Sequence, residues 1–195
     1  MPTDSPTLSD PIVGEQPADQ RAATLVATYE TRRGARVILT RRPDTLRRHP
    51  GQISFPGGMI EPSDPSPLAA AIREAQEEVG LFLPLDTPAI PLAPVTTLSS
   101  GIVILPFWVR LPRSPRLRAT PEEVAAILRV PLVDLRRPGI LQPIPHPRRP
   151  NESTRAYVWH GQVIWGATAQ MLDELLSIFF HASGNSITRP SSADR

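Results

Sequence analysis

Ser66-Pro67-Leu68-Ala69-Ala70-Ala71-Ile72-Arg73-Glu74-Ala75-Gln76-Glu77-Glu78-Val79-Gly80 is the stretch on which the reading of this chain turns. Its ends carry helix signals. The Ser66 hydroxyl suits a helix cap, Pro67 fits a first turn whose N–H groups need no partner, and Gly80 suits the position just past a helix end. The spacing therefore predicts a helix over Leu68 to Val79. At about 100° per residue, Leu68, Ile72, Ala75 and Val79 fall in one narrow stripe that faces a core. Glu74 and Glu78, four apart, share the face beside that stripe, and Glu77 lies further round, nearer Arg73. Two carboxylates at this spacing repel by a few tenths of a kcal/mol in an isolated helix. A divalent cation between them removes that cost, and magnesium suits a site that shares its coordination with waters and substrate phosphates. The competing reading is a solvated acidic face, the usual fate of helix charges.

Working outward, Phe55-Pro56-Gly57-Gly58 stands just upstream. Adjacent glycines let backbone approach a ligand closely and leave N–H groups for an anion. A glycine turn, a short acidic loop and an acid-faced helix in that order sharpen the signal beyond any of its parts. Further upstream, Ala23 to Tyr29 and Arg36 to Arg41 read as strands joined across Arg33-Gly34. Arg42 to Gly51 is a polar loop, and Ile53 to Phe55 is a short strand stopped at Pro56-Gly57-Gly58. Downstream, strands are expected near Pro94 to Leu98 and Ile102 to Val109. Thr120-Pro121-Glu122-Glu123 has the form of a capping box, which predicts a second helix through Leu128. Residues 136 to 155 read as a loop rich in proline and arginine. A hairpin turns about His160-Gly161 between Tyr157–His160 and Val163–Trp165, and a last helix runs from about Ala167 to His181. The alternation predicts an α/β fold of the α+β type: a mixed sheet flanked by helices, an α/β/α sandwich.

Length, 195 residues, suits one domain, expected over residues 21 to 182, with residues 1 to 20 and 183 to 195 read as disordered tails. The absence of cysteine excludes disulfides, thiolate metal sites and cysteine nucleophiles. All 21 basic residues are arginine, which follows from genome composition or from anion binding, since the guanidinium fork matches phosphate. They are scattered in pairs without a basic block, so no nucleic-acid partner is expected. No apolar run has membrane-spanning length and no secretory signal opens the chain, so the expected location is cytoplasmic. Trp108, Trp159 and Trp165 read as packing residues, not a base-stacking platform. His146, His160 and His181 read as incidental.

Gly58 to Leu81 resembles a Nudix box: glycine, spacer, acid, spacer, then Arg-Glu-apolar-x-Glu-Glu-x-Gly-apolar. The common pattern places the arginine fourteen positions after the glycine; Gly58 to Arg73 is fifteen, so the loop holds one extra residue. Asp64 and Glu61 are both candidates for the first acid. Leu39-Thr40-Arg41-Arg42 followed by Leu46-Arg47-Arg48-His49-Pro50-Gly51-Gln52-Ile53-Ser54-Phe55-Pro56-Gly57-Gly58 is similar to the extra signature of the coenzyme A pyrophosphatase branch. Thr97 to Pro106 and Ile164 to Ala169 are similar to that branch as well.

The resemblance implies Mg²⁺ or Mn²⁺ held by Glu74 and Glu78, with Glu77 a further or water-mediated ligand. Arg73 belongs to the same catalytic motif and is expected to pair with an acid and hold the helix. The general base is left between a box glutamate and Glu122 or Glu123. Arg41, Arg47, His49, Gly51, Gln52, Gly57 and Gly58 are the implied substrate-binding residues, with Arg41 and Arg47 toward phosphates. The implied substrate is coenzyme A or a derivative. ADP-ribose, dinucleotides or nucleoside triphosphates keep the same chemistry, and a nucleotide-binding module without catalysis is the reading from another class. A homodimer is left open.

Overall fold

A computed structural model of the chain describes residues 21–98 and 100–182. The two expected tails lie outside the described residues. The strands are β1 (Arg21–Tyr29), β2 (Arg36–Arg41), β3 (Ile53–Ser54), β4 (Gly57–Met59), β5 (Ile90–Pro91), β6 (Val95–Thr96), β7 (Val103–Leu111), β8 (Ala126–Pro131), β9 (Leu141–His146), β10 (Arg149–Trp159) and β11 (Gln162–Trp165). The helices are α1 (Pro67–Val79), α2 (Leu132–Leu135) and α3 (Gly166–Ala182).

Eight strands form one mixed sheet along the order β3-β2-β1-β7-β5, with β4 on β1, β6 on β7 and β8 on β2. The long β1–β7 pair is parallel, Arg21 opposite Val103 through Tyr29 opposite Leu111, and the other pairs in this sheet are antiparallel. Strand β1 is buried along nearly its whole length because both its faces are covered. Leu25, Ala27 and Ile38 point to one core, packed against Ala71, Ile72, Ala75 and Val79 of α1. Val26, Val37 and Leu39 point to the other, packed against Met171, Leu172 and Leu175 of α3. The period-2 alternation of the strands thus feeds two helices on opposite faces, the expected α/β/α sandwich. A second sheet, β11-β10-β9, is antiparallel throughout.

Helix α1 is built as its sequence predicts. The Ser66 hydroxyl accepts from the Ala69 N–H at 3.1 Å, and Gly80, at φ 65°, donates its N–H to the Gln76 carbonyl.

Three expectations are corrected. Residues 120–128 are not a helix. One turn forms, with Val124 N–H bonded to the Thr120 carbonyl, and then Ala125 N–H bonds to the Arg41 carbonyl and the chain enters β8 against β2. The Thr120 hydroxyl, instead of capping its own turn, donates to the Glu77 carbonyl, while its N–H bonds the Glu78 carbonyl at 3.0 Å. Carbonyls at the end of α1 need partners, and this segment supplies them. Residues 136–155 are mostly strand, not loop. Pro143 and Pro145 sit at alternate positions of β9, an edge strand, where a missing N–H is tolerated. Residues Gly57–Met59, read as a turn, form a strand on β1.

Candidate active site

Glycine geometry fixes the floor of the site. Gly57 has φ 155°, and a Cβ there would lie 2.3 Å from the Ala23 carbonyl oxygen and 2.6 Å from Thr24 Cα. Only glycine fits between β1 and what lies above it. A Cβ on Gly58 would meet the Glu74 carboxyl group at 2.5–2.6 Å. The two glycines therefore let β4 run directly beneath the acid-bearing face of α1.

On that face Glu78 is buried, 4% exposed, and its Oε2 accepts the Gly57 N–H at 3.3 Å. It has no ion pair within 4 Å among the described residues. Burial, reinforced by the charges of Glu74 and Glu123 and only partly offset by the Gly57 N–H and Arg42, pushes its carboxyl up to about 8. Burial also raises Glu74, against the pull of Arg73 and with a further push from Glu77 and Glu123. Glu123 thus acts on both carboxylates from a segment outside α1. It is placed there by the same hydrogen bonds that close the end of the helix.

Arg73 stands at the centre of the other acids. Its Nε and Nη2 donate to the two Asp64 oxygens at 3.0 and 3.1 Å, its Nη1 to Glu74 at 2.9 Å and to Glu77 at 3.1 Å, and its Nη2 to the Met59 carbonyl at 3.2 Å. Asp64, with 5% of its side chain exposed, is held below the usual carboxylate range by that fork, while Glu61 reaches Arg73 only at 4.0 Å and is 57% exposed. Arg73 anchors the extra-length loop to α1, and Asp64 takes the position beside it.

Among the described residues no three His, Cys, Asp or Glu side chains gather as a metal cage. Glu74 and Glu78 nevertheless fit a hard divalent cation. Both carboxylates are withdrawn from water, Glu78 feels the charge of Glu74, and Glu78 has no ion pair within 4 Å among the described residues. Magnesium is commonly bound by one or two carboxylates, the remaining positions falling to waters and substrate phosphates. Glu77, with its side chain 55% exposed, is turned to Arg73.

The upstream residues divide. Arg41, Gly51 and Gln52 line an open cleft of about 770 Å³ whose far wall carries Arg148, Gln162 and Trp165 from the small sheet. Arg41 lines the cleft, and the charge of the next residue, Arg42, reaches Glu78. Arg41 is tied to Asp44 at 2.8 Å, and a Cβ on Gly51 would strike that same carboxylate at 2.6 Å. His49, at φ 56°, contacts Gln52 and Arg148, each 2.7 Å from its Nδ1. Arg47 is exposed and lines neither the cleft nor the acid pair.

Arg42 and Arg148 were not among the expected site residues, and Trp165 was expected only to pack. Arg42 was signalled by its pairing with Arg41, Trp165 lines the cleft besides packing edge-on to His146, and Arg148 comes from a stretch read as loop. A separate cavity of about 430 Å³ lies against α3, far along the chain from these groups, with Tyr157 bonded to Asp173 at its wall.

The NUDIX domain model matches residues 19–149. A Nudix hydrolase of Cronobacter sakazakii, NudL, is 34% identical over 166 residues, covering 85% of this chain and 86% of that protein. NudL of Klebsiella pneumoniae is 33% identical over 158 residues, 80% of this chain and 82% of that one. Among solved structures, a MutT/nudix family protein from Enterococcus faecalis superposes with a TM-score of 0.59 at 13% identity, covering 91% of this chain and 65% of that one. The NUDIX domain of Shewanella oneidensis NrtR, crystallised with ADP ribose, gives 0.51 at 17%, covering 65% and 80%. A glycine floor beneath paired carboxylates, an arginine binding the loop acid to the helix, and this match together establish that the chain belongs to the Nudix hydrolase family, enzymes that hydrolyse pyrophosphate bonds of nucleotide-like substrates.

Proposed function

We propose that the chain hydrolyses the pyrophosphate bond of coenzyme A or an acyl or oxidised derivative, giving adenosine 3′,5′-bisphosphate and the corresponding 4′-phosphopantetheine. The observation that carries the proposal is the cleft. Arg41, Gly51 and Gln52, drawn from the segment similar to the coenzyme A branch, line it, and Arg42, the residue after Arg41, carries its charge to Glu78. Its volume, about 770 Å³, is in the range of cofactor sites.

Glu74 and Glu78 hold Mg²⁺ or Mn²⁺, and Glu77 supports the site at one remove. When bound there, the ion supplies neutralising charge to the diphosphate and makes water a competent nucleophile at neutral pH. Arg73 is a positioning residue: its bonds to Asp64 and Glu74 fix where the Glu74 carboxylate points. Arg42, whose charge reaches Glu78, serves the diphosphate from beside the acid pair. Glu123, exposed and electrostatically coupled to both helix carboxylates, accepts the proton of the attacking water. Gly57 and Gly58 let the Glu74 and Glu78 carboxylates settle against β4, and His49 and Gln52 order the cleft loop.

The test is a hydrolysis panel with Mg²⁺ and Mn²⁺ over coenzyme A, ADP-ribose, dinucleotides and nucleoside triphosphates, with products identified by mass spectrometry. Highest kcat/KM on coenzyme A or a derivative supports the assignment. Clearly higher kcat/KM on another diphosphate overturns it, and a protein inert toward all of them is a binding module.

A further inference from the structure

We infer that Arg148, at the turn between β9 and β10, is the anchor for a phosphate monoester carried by the substrate outside its reacting diphosphate. The inference rests on the coenzyme A reading, in which such a group hangs from the ribose.

The cleft that would take the nucleotide has two cationic groups among its lining residues, Arg41 and Arg148, and no carboxylate. They are not equivalent. Arg41 places Nη2 at 2.8 and 2.9 Å from the two Asp44 oxygens, and Gly51 is kept free of a side chain that would disturb that pair. Its charge is largely spent within its own loop. Arg148 has no carboxylate within 4 Å among the described residues, and its guanidinium makes one hydrogen bond, Nη2 to His49 Nδ1 at 2.7 Å. That bond is one the molecule can give up. Nδ1 offers a single site: as an acceptor it takes the Arg148 N–H, and as a donor it gives its proton to Gln52 Oε1, also 2.7 Å away. The two contacts exclude each other, so His49 retains a partner when Arg148 leaves for a ligand. The turn itself is firm, because the Arg148 backbone N–H donates to His146 Nδ1 at 3.1 Å and His146 packs edge-on against Trp165 at 5.1 Å. A guanidinium with no carboxylate partner among the described residues, on a braced turn facing an acid-free cleft lined by Trp165, suits a phosphate near a flat base.

The test compares binding of adenosine 3′,5′-bisphosphate with AMP by calorimetry on the full chain with magnesium present. Wild type binds the bisphosphate at least about tenfold more tightly, one charge-assisted contact's worth. In Arg148→Ala that preference collapses to about twofold or less, and Arg148→Lys restores part of it. A preference that survives in Arg148→Ala, or is absent in wild type, overturns the assignment. Coenzyme A turnover in the same preparations keeps the two ideas apart. Turnover with the preference unchanged by Arg148→Ala removes the anchor and leaves the hydrolytic reading. Hydrolysis of a different diphosphate removes that reading, while the binding comparison still decides Arg148.

Discussion

Glu78 is an acid that the fold holds partly against its own charge. In water its carboxyl titrates near 4.5, and burial raises it to about 8 in the metal-free protein. The folded state therefore keeps a proton that the unfolded chain releases, and stability falls as pH rises between those two values. The predicted loss is a few kcal/mol, at about 1.4 kcal/mol for each pH unit that separates the two titrations, less whatever local relaxation recovers. Urea unfolding in EDTA at pH 5, 7 and 9 measures it. In Glu78→Gln the downward slope should flatten, and an unchanged slope would assign it to other groups. The same variant should lose at least about 10²-fold in kcat, the scale for removing a group that stabilises transition-state charge. Two neighbouring glycines make a sharper pair. Gly57→Ala drives Cβ into the Ala23 carbonyl and should cost at least about 2 kcal/mol, since the β1 backbone it meets cannot yield. Gly58→Ala meets only the end of the Glu74 side chain, so it should leave the melting temperature nearly intact while cutting kcat. Thermal melts alongside initial rates separate the two, and equal loss of fold in both would contradict the geometry.

At the scale of elements, legibility follows the range of the forces involved. Helix α1 was readable because its cap, its stripe and its stop all lie within fifteen residues, and each does in the structure what its chemistry predicts. Ser66→Ala should accordingly cost about 1 kcal/mol, read as a drop of about 2–4 °C in Tm. Strand β8 was not readable. Thr120-Pro121-Glu122-Glu123 has good local helix chemistry, but its hydroxyl and N–H go to the end of α1, and the following Ala126–Pro131 finds a ladder on β2 more than eighty residues earlier in the chain. Strand β9 and the first part of β10, through Arg155, failed for the same reason, because their prolines and arginines look like loop until the edge position of β9 is known, whereas the end of β10 was legible in its hairpin with β11. The site divides along this line. The carboxylates of α1 and the glycines before it were legible because the motif is contiguous. Glu123 was nameable only as one of several bases, and Arg148 was invisible, because each reaches the site through a pairing that no local pattern encodes.

For the molecule as a whole, the sheet is clamped between two cores, and the acid pair lies where α1 meets the glycine floor of β4. An ion bound there needs the folded helix that sets its two carboxylates side by side, so its binding energy appears as stability of the entire fold, about 2.7 kcal/mol at one hundred times the dissociation constant. For a domain of this size that corresponds to a rise of roughly 5–11 °C in Tm. The rise should itself depend on pH. At pH 6 the ion must displace the proton that Glu78 holds, whereas at pH 8.5 the carboxylate is largely free and the apo protein carries its repulsion with Glu74 unrelieved. Saturating MnCl₂ or MgCl₂ should therefore stabilise more at pH 8.5 than at pH 6, with proton release detectable by calorimetry in two buffers of different ionisation enthalpy. Equal Tm shifts at both pH values, or an undiminished shift in a Glu74→Gln/Glu78→Gln double variant, would place the ion elsewhere on the surface.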